Sequence, residues 1–102
     1  MKFTESLKKN VDFRIVYNRG KSIANRNLVM YVMKNKSPYN RLGISVSKKV
    51  GNSVKRSRIT RLIRESYRLN EHRVSNGYNI IVIARNSTNG LNYLEMNKSL
   101  IH

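Results

Sequence analysis

Residues 42–69 read LGISVSKKVGNSVKRSRITRLIRESYRL, and their periodicity changes once. Over residues 42–47, Leu, Ile and Val alternate with Gly and Ser, which predicts a strand with one buried face and one small, polar face. Beyond the strand, apolar residues recur at helical spacing, which predicts an amphipathic helix. Gly51 separates the two patterns, and Asn52 or Ser53 can cap the helix. The segment therefore predicts a strand that leads into a long helix.

The first turn of this helix is cationic. Lys55 and Arg56 lie at the N-terminal end of the helix, where the helix dipole already gives a positive potential. Each cation there is unfavourable by about 0.3 kcal/mol or more. A bound phosphate explains them, because free backbone N–H groups and both side chains would converge on it. Arginines also line the polar side of the helix, opposite the apolar side that holds Ile59 and Ile63. They are Arg58, Arg61, Arg64 and Arg68.

The remaining chain supplies further elements. A first helix is predicted from Asn10, as its cap, to Arg19, with Gly20 as a left-handed stop. Residues 28–34 and 78–84 are rich in β-branched and aromatic side chains and predict two strands, the second buried on both faces. A last helix is predicted to begin at the capping box of Asn92 and Glu95. The elements predict one α+β domain over residues 1–102, with the order α-β-β-β-α-β-α and a sheet of about four strands.

The charge of the chain points to a polyanionic partner. The 102 residues hold 21 Lys and Arg against 5 Asp and Glu, for a net charge of +16. All five acids lie outside residues 13–64, which hold fourteen Lys and Arg. A solvated surface would intersperse both signs, whereas a polyanion neutralises such a cluster and releases counterions. We therefore expect nucleic acid as the partner, and no membrane.

Composition also excludes several classes of protein. The chain has no cysteine, which excludes disulfide scaffolds, thiolate zinc sites and thiol catalysis. No apolar run approaches the roughly 20 residues that span a bilayer, and the first ten residues lack the apolar core of a secretory signal. The expected compartment is the cytoplasm.

RNA is favoured over DNA. A recognition helix for the DNA major groove usually follows another helix across a tight turn, whereas this basic helix follows a strand. Phe13 and Tyr17 stand four residues apart and share a side of the first helix. They either pack into the core or form a surface on which bases stack. Tyr31 alternates with Met30 and Val32, and so faces away from them.

No catalytic or metal site is predicted on the chain itself. Metal-dependent phosphodiester cleavage needs converging carboxylates, and the five acids form no D-x-D or E-x-x-E pair. Asp12 lies in the first turn of the first helix, where its negative charge interacts favourably with the positive end of the helix dipole. His72 lies in a loop-like stretch and His102 is terminal, so a histidine acid–base pair is not expected.

The run GISVSKKVGNSVKRSRITRLIRE (43–65) closely resembles the signature of the bacterial ribonuclease P protein component. DFRIVYNRGKS (12–22) is similar to that family's opening helix and turn, and IIVIAR (80–85) to its last strand. The resemblance implies an α/β sandwich with a left-handed βαβ crossover. It also implies a protein that pairs with a catalytic RNA, in a holoenzyme that removes the 5′ leader from precursor tRNA. Mg²⁺ would be held mainly by the RNA and substrate.

The resemblance further implies two RNA-binding surfaces. The basic helix and its approach would bind the catalytic RNA. With the cations of the same helix, that set is Lys48, Lys49, Asn52, Lys55, Arg56, Arg58, Arg61, Arg64 and Arg68. A cleft between the first helix and the sheet would bind the leader, at Phe13, Tyr17 and Tyr31. The last helix is expected to be cut short, because the family usually continues beyond the equivalent of His102.

The chain departs from the family pattern at two positions. Ser57 stands where the family usually has Asn, and Thr60 where it often has Lys, which removes a charge near the expected leader path. The alternative function is that of a non-catalytic, structural RNA-binding protein of ribosomal type. Composition does not separate the two, since both would be small, basic and poor in acids.

Overall fold

The alternating strand and the apolar run at 78–84 become neighbours in a mixed sheet. The computed structural model describes residues 4–25, 27–71 and 77–85. The elements are β1 (Thr4–Ser6), α1 (Asn10–Arg19), β2 (Lys21–Ala24), β3 (Leu28–Lys34), β4 (Asn40–Val46), α2 (Ser53–Asn70) and β5 (Tyr78–Ala84). The strands lie in the order β1-β4-β5-β3-β2.

Strands β4 and β5 are parallel, and α2 connects them. Their register places Gly43 opposite Ile81 and Val46 opposite Ala84. Strand β1 is also parallel to β4, whereas β3 is antiparallel to both β5 and β2. Parallel neighbours need a crossover connection, so the βαβ unit that the resemblance implied is present. Its left-handed sense stays a prediction.

The α+β class is confirmed, and the expected count of about four strands is wrong by one. Three strands lie between the two helices, as predicted, but β1 precedes α1 and makes the sheet five-stranded. Strand β1 is three residues long, Thr-Glu-Ser, which is too short to show an alternating pattern. Its pairing with Asn40–Leu42 of β4 defines it instead. The last helix, expected from Asn92, lies outside the described residues.

The sheet separates two apolar clusters, one under each helix. Ile59, Ile63 and Tyr67 of α2 pack with Ile80 and Val82 of β5 on one face. On the other face, Val16 of α1 packs with Leu7 and Ile81. Because successive strand residues point to opposite faces, β5 is covered on both sides, as its apolar run predicted. The two helices therefore lie on opposite faces of the sheet.

The prediction for Gly20 is wrong in its geometry. Gly20 follows α1 with φ −78° and ψ 164°, an extended conformation that any residue adopts, and not the left-handed one. A Cβ atom at this position would lie 2.6 Å from the carbonyl oxygen of Val16 and 3.0 Å from that of Val32. Glycine is needed here for close backbone approach, because β2 begins at the next residue. Likewise, Asn10 is the first residue of α1, and Lys9 precedes it as the N-cap.

A polar network fixes the C-terminal end of α2 against the sheet. The Tyr67 hydroxyl lies 3.0 Å from the Thr4 hydroxyl and accepts a bond from Asn40 Nδ2 at 3.3 Å. The Asn40 side-chain oxygen accepts from the backbone N–H of Tyr78 at 2.9 Å. Asn40 is fully buried, and buried amides need such partners. The network joins β1, α2, β4 and β5, so the position of the basic helix is set by the sheet.

Candidate nucleic-acid interface

The first turn of α2 is capped from within the chain. The side-chain oxygen of Asn52 accepts a hydrogen bond from the backbone N–H of Lys55 at 2.9 Å, which confirms Asn52 as the cap. That N–H is therefore already satisfied, although the sequence predicted free N–H groups for a phosphate. An anion at this turn would be bound by the Lys55 and Arg56 side chains and by fewer backbone N–H groups than the sequence predicted.

An open groove runs between α2 and β4. It has a volume of about 470 Å³, and Ile44 and Val46 form its strand side. Its helix side is polar and cationic, with Ser53, Arg56, Ser57, Thr60, Arg61 and Arg64. The Nε atom of Arg56 is buried and has no hydrogen-bond partner among the described residues. We call this the α2 groove, and its shape and charge suit a phosphate-bearing strand.

The two departures from the family pattern both line the α2 groove. Ser57 is exposed there. Thr60 donates its hydroxyl to the backbone oxygen of Arg56 at 2.9 Å, so that hydrogen is used within the helix. The position of Thr60 therefore offers neither a charge nor a free hydroxyl hydrogen to a ligand.

The outer side of α2 carries a second shallow surface. A hollow of about 450 Å³ is lined by Arg58, Arg61, Leu62, Arg64 and Glu65. Arg61 and Arg64 also line the α2 groove, so they lie between the two surfaces and border both. Helix α2 thus presents arginines both to the α2 groove and to this second surface.

Arg68 of α2 pairs with an acid on its own helix. Its Nε donates to Glu65 Oε2 at 3.2 Å, in an exposed ion pair one helical turn apart. The hydrogen bond from Arg68 holds the pKa of the Glu65 carboxyl below its usual value. The charge of Arg68 is therefore partly offset within the helix.

Lys48 and Lys49 lie in the turn that joins β4 to α2. Both side chains are exposed, and the next residue, Val50, is buried and anchors the turn. The Val50 N–H donates to the backbone oxygen of Ser47 at 3.1 Å. The two lysines are thus presented to solvent at the N-terminal end of α2.

Phe13, Tyr17 and Tyr31 come together on the α1 face of the sheet. The Tyr17 and Tyr31 rings meet edge to face with centroids 5.0 Å apart, and the Phe13 and Tyr17 centroids are 6.2 Å apart. Phe13 lies over Gly43, where a Cβ atom would come within 2.5 Å of the ring. Tyr17 is 37% exposed. Phe13 and Tyr31 are half-buried and pack against the core, so Tyr17 is the ring most open to a base.

A groove of about 600 Å³ opens beside these rings, and we call it the α1 groove. It is lined by Leu7, Lys8, Asn10, Phe13, Arg14, Tyr17, Ile44 and Ser45. Burial raises the pKa of the Tyr17 phenol, and a hydrogen bond to Ser45 partly opposes the rise. A tyrosine phenol is already neutral at physiological pH, and this shift moves its pKa further from that pH, so Tyr17 does not repel phosphate. The groove combines aromatic and cationic side chains, as single-stranded RNA sites do.

Three polar residues of the α1 groove were not singled out from the sequence: Lys8, Arg14 and Ser45. Arg14 does share a face of α1 with Tyr17, at a spacing of three residues. Ser45 belongs to the small, polar face that the sequence predicted for β4, and a face of small residues allows close approach of a partner. Next to it, however, Gly43 admits the ring of Phe13 from the same chain.

The carboxylates of the described residues do not fit a metal site on the protein. Within residues 4–25, 27–71 and 77–85, no three His, Asp or Glu side chains come together as a group that could hold a metal ion. Glu65 is paired with Arg68, and Glu71 accepts a hydrogen bond from Thr4. No described helix is long and apolar enough to cross a membrane.

Comparisons with known proteins agree on one family. The family model for ribonuclease P matches residues 1–102. The ribonuclease P protein component of Lachnoclostridium phytofermentans is 58% identical over 99 residues, covering 97% of this chain and 85% of the relative. That of Alkaliphilus metalliredigens is 49% identical over 102 residues, covering 100% and 92%.

Solved structures show the same likeness. The Staphylococcus aureus RNase P protein superposes with a TM-score of 0.89 at 44% identity, over 95% of this chain and 89% of that one. The RNase P protein of Thermotoga maritima superposes with a TM-score of 0.88 at 31% identity, over 95% and 92%.

Proposed function

The chain belongs to the ribonuclease P protein family, and on that premise we propose that it binds a catalytic RNA and the 5′ leader of precursor tRNA. Membership gives the general role, a protein component in tRNA processing. The proposal adds the two RNAs and their places on the protein. The ribosomal-type alternative is set aside, because the family match covers residues 1–102.

One observation carries the proposal: two cationic grooves flank β4, and they differ in chemistry. The α2 groove is lined by arginine and hydroxyl side chains, which bind phosphate. The α1 groove adds aromatic rings, which stack on unpaired bases. A structured RNA presents mainly phosphates, whereas a leader presents unpaired bases. We therefore assign the catalytic RNA to α2 and the leader to the α1 groove.

We propose that Mg²⁺ is held by the RNA and the substrate, and that this chain contributes binding and position. The carboxylate pattern described above does not fit a metal cluster. The chain's cations would neutralise phosphates where two RNAs approach each other. Stacking in the α1 groove would restrict the leader and so align the cleavage site. The protein alone is proposed to be inactive.

The decisive experiment is cleavage of precursor tRNA by the catalytic RNA at low Mg²⁺, with and without this chain. We expect the chain to restore cleavage at Mg²⁺ concentrations where the RNA alone is slow, because its cations replace part of the ionic screening. A polyamine of equal total charge serves as control for screening alone. An unchanged Mg²⁺ dependence with the chain present would refute the proposal.

Arg58→Ala is predicted to weaken binding to the catalytic RNA and to lower its salt dependence. Loss of one phosphate contact should reduce the slope of log K against log salt by about one unit. Arg68→Ala is a second variant on the same helix, and it should reduce the slope by less than one unit, because the ion pair with Glu65 already offsets part of the charge that is removed. Filter binding over a range of salt concentrations measures both slopes. An unchanged slope for Arg58→Ala would mean that this arginine faces solvent in the complex.

A further inference from the structure

The outer backbone edge of strand β4, over residues 43–46, lies between the two grooves. Strand β1 pairs only with Asn40–Leu42 of β4, and the last bond runs from the Leu7 N–H to the Leu42 oxygen at 2.9 Å. Leu7 then turns into the core under α1. Among the described residues, no strand covers the outer edge of residues 43–46, whose other edge pairs with β5.

The polarity of this edge follows from the Leu42 bond. Backbone groups of alternate residues point to alternate edges of a strand. Since the Leu42 oxygen points to β1, the N–H and C=O groups of Ile44 and Val46 point the same way. The open edge therefore presents two N–H donors and two carbonyl acceptors in a row.

The edge joins the α1 and α2 grooves into one path. Ile44 lines both of them. Lys8 and Arg14 lie on the α1 side, and Arg56 and Arg64 lie on the α2 side. A strand that leaves the stacking rings toward α2 would cross the backbone of Ile44, with cations on both sides.

The charge selects nucleic acid over a peptide for this edge. A peptide added as a strand would satisfy the same backbone groups, but it would need acids placed against cations on both sides. An RNA strand carries a phosphate at every step, and each N–H of the edge can donate to one. The carbonyls of the edge can only accept, and the 2′-hydroxyl is the only hydrogen donor of the sugar–phosphate backbone. DNA has no such donor.

On the proposed function, we infer that the leader crosses β4 at this edge, with the backbone of Ile44 and Val46 contacting its phosphates and 2′-hydroxyls. The protein would then read the leader as RNA, independently of its bases. This recognition uses no side chain, so it is compatible with leaders of many sequences.

Single 2′-deoxy substitutions along the leader test the inference. With the holoenzyme, we expect one or two adjacent positions to weaken precursor binding by about 3- to 10-fold, the range for a lost hydrogen bond. With the catalytic RNA alone, the same substitutions should have no effect. Leaders carrying 2′-fluoro groups at those positions should behave like 2′-deoxy leaders, because they also lack the donor but keep the sugar pucker of RNA.

A change in the protein tests whether the backbone N–H groups of the edge donate hydrogen bonds to the leader. Replacing the amide of Ile44 by an ester, through its α-hydroxy acid, removes the N–H and keeps the side chain. We expect about 3- to 10-fold weaker precursor binding by the holoenzyme and unchanged binding of mature tRNA, which has no leader.

Equal affinities for RNA and 2′-substituted leaders would overturn the inference and leave the edge to another occupant, such as an added peptide strand. That result is separate from failure of the proposed function, which would be seen as loss of the low-Mg²⁺ stimulation by the unmodified protein.

Discussion

Tyr17→Ala is expected to weaken binding of precursor tRNA by about 1–3 kcal/mol and to leave mature tRNA nearly unaffected. The ring is 37% exposed beside the α1 groove and is held edge to face against Tyr31 at 5.0 Å. A tyrosine phenol is neutral at physiological pH, so a leader base can stack there without a phenolate repelling its phosphates. Affinities of the holoenzyme for both tRNAs measure the difference.

Tyr39→Ala is the control for removal of an exposed tyrosine. Tyr39 is 42% exposed, in the loop before β4, and lines neither groove. Its removal should change neither affinity. If Tyr17→Ala weakened both tRNAs equally, Tyr17 would be a packing residue, which is the other interpretation that the sequence allowed.

Ile63→Ala is expected to lower the free energy of unfolding by about 2–5 kcal/mol. Ile63 is fully buried and packs α2 onto the sheet in the larger apolar cluster. Truncation leaves a cavity that the helix cannot fill, because the network at Tyr67 fixes its C-terminal end. Urea unfolding followed by circular dichroism measures the loss.

Val54→Ala on the same helix is the matched control. Val54 is 76% exposed in the first turn, and surface substitutions of this kind change stability by about 0.5 kcal/mol or less. A loss below about 1 kcal/mol for Ile63→Ala would contradict the packing described for α2.

The strongest periodic signals in the sequence predicted the corresponding elements well. Helix α2 has the apolar side and the Asn52 cap that its spacing indicated, and β5 is buried on both faces as its apolar run indicated. Both predictions succeed because burial imposes a period on the residues themselves. Helix α1 also ends at Arg19 as predicted, although Gly20 serves close approach and not a left-handed turn.

The features that were missed depend on distant partners. Strand β1 is too short to have a sequence pattern of its own. It is held by pairing with β4 and by the contact of Thr4 with Tyr67, 63 residues away. Lys8 and Arg14 line the α1 groove only because the fold brings α1, and the residues just before it, beside β4. The three rings were placed together through resemblance to a family, and residue spacing alone left their role open.

The protein should increase the affinity of the catalytic RNA for precursor tRNA. Measuring this gain against leader length tests most directly whether the α1 groove binds the leader. If the α1 groove binds the leader, the gain should be full for a long leader and should vanish for a leader of a single nucleotide. Mature tRNA should show no gain either. A gain that is independent of leader length would contradict the account, because the protein would then act only through the catalytic RNA.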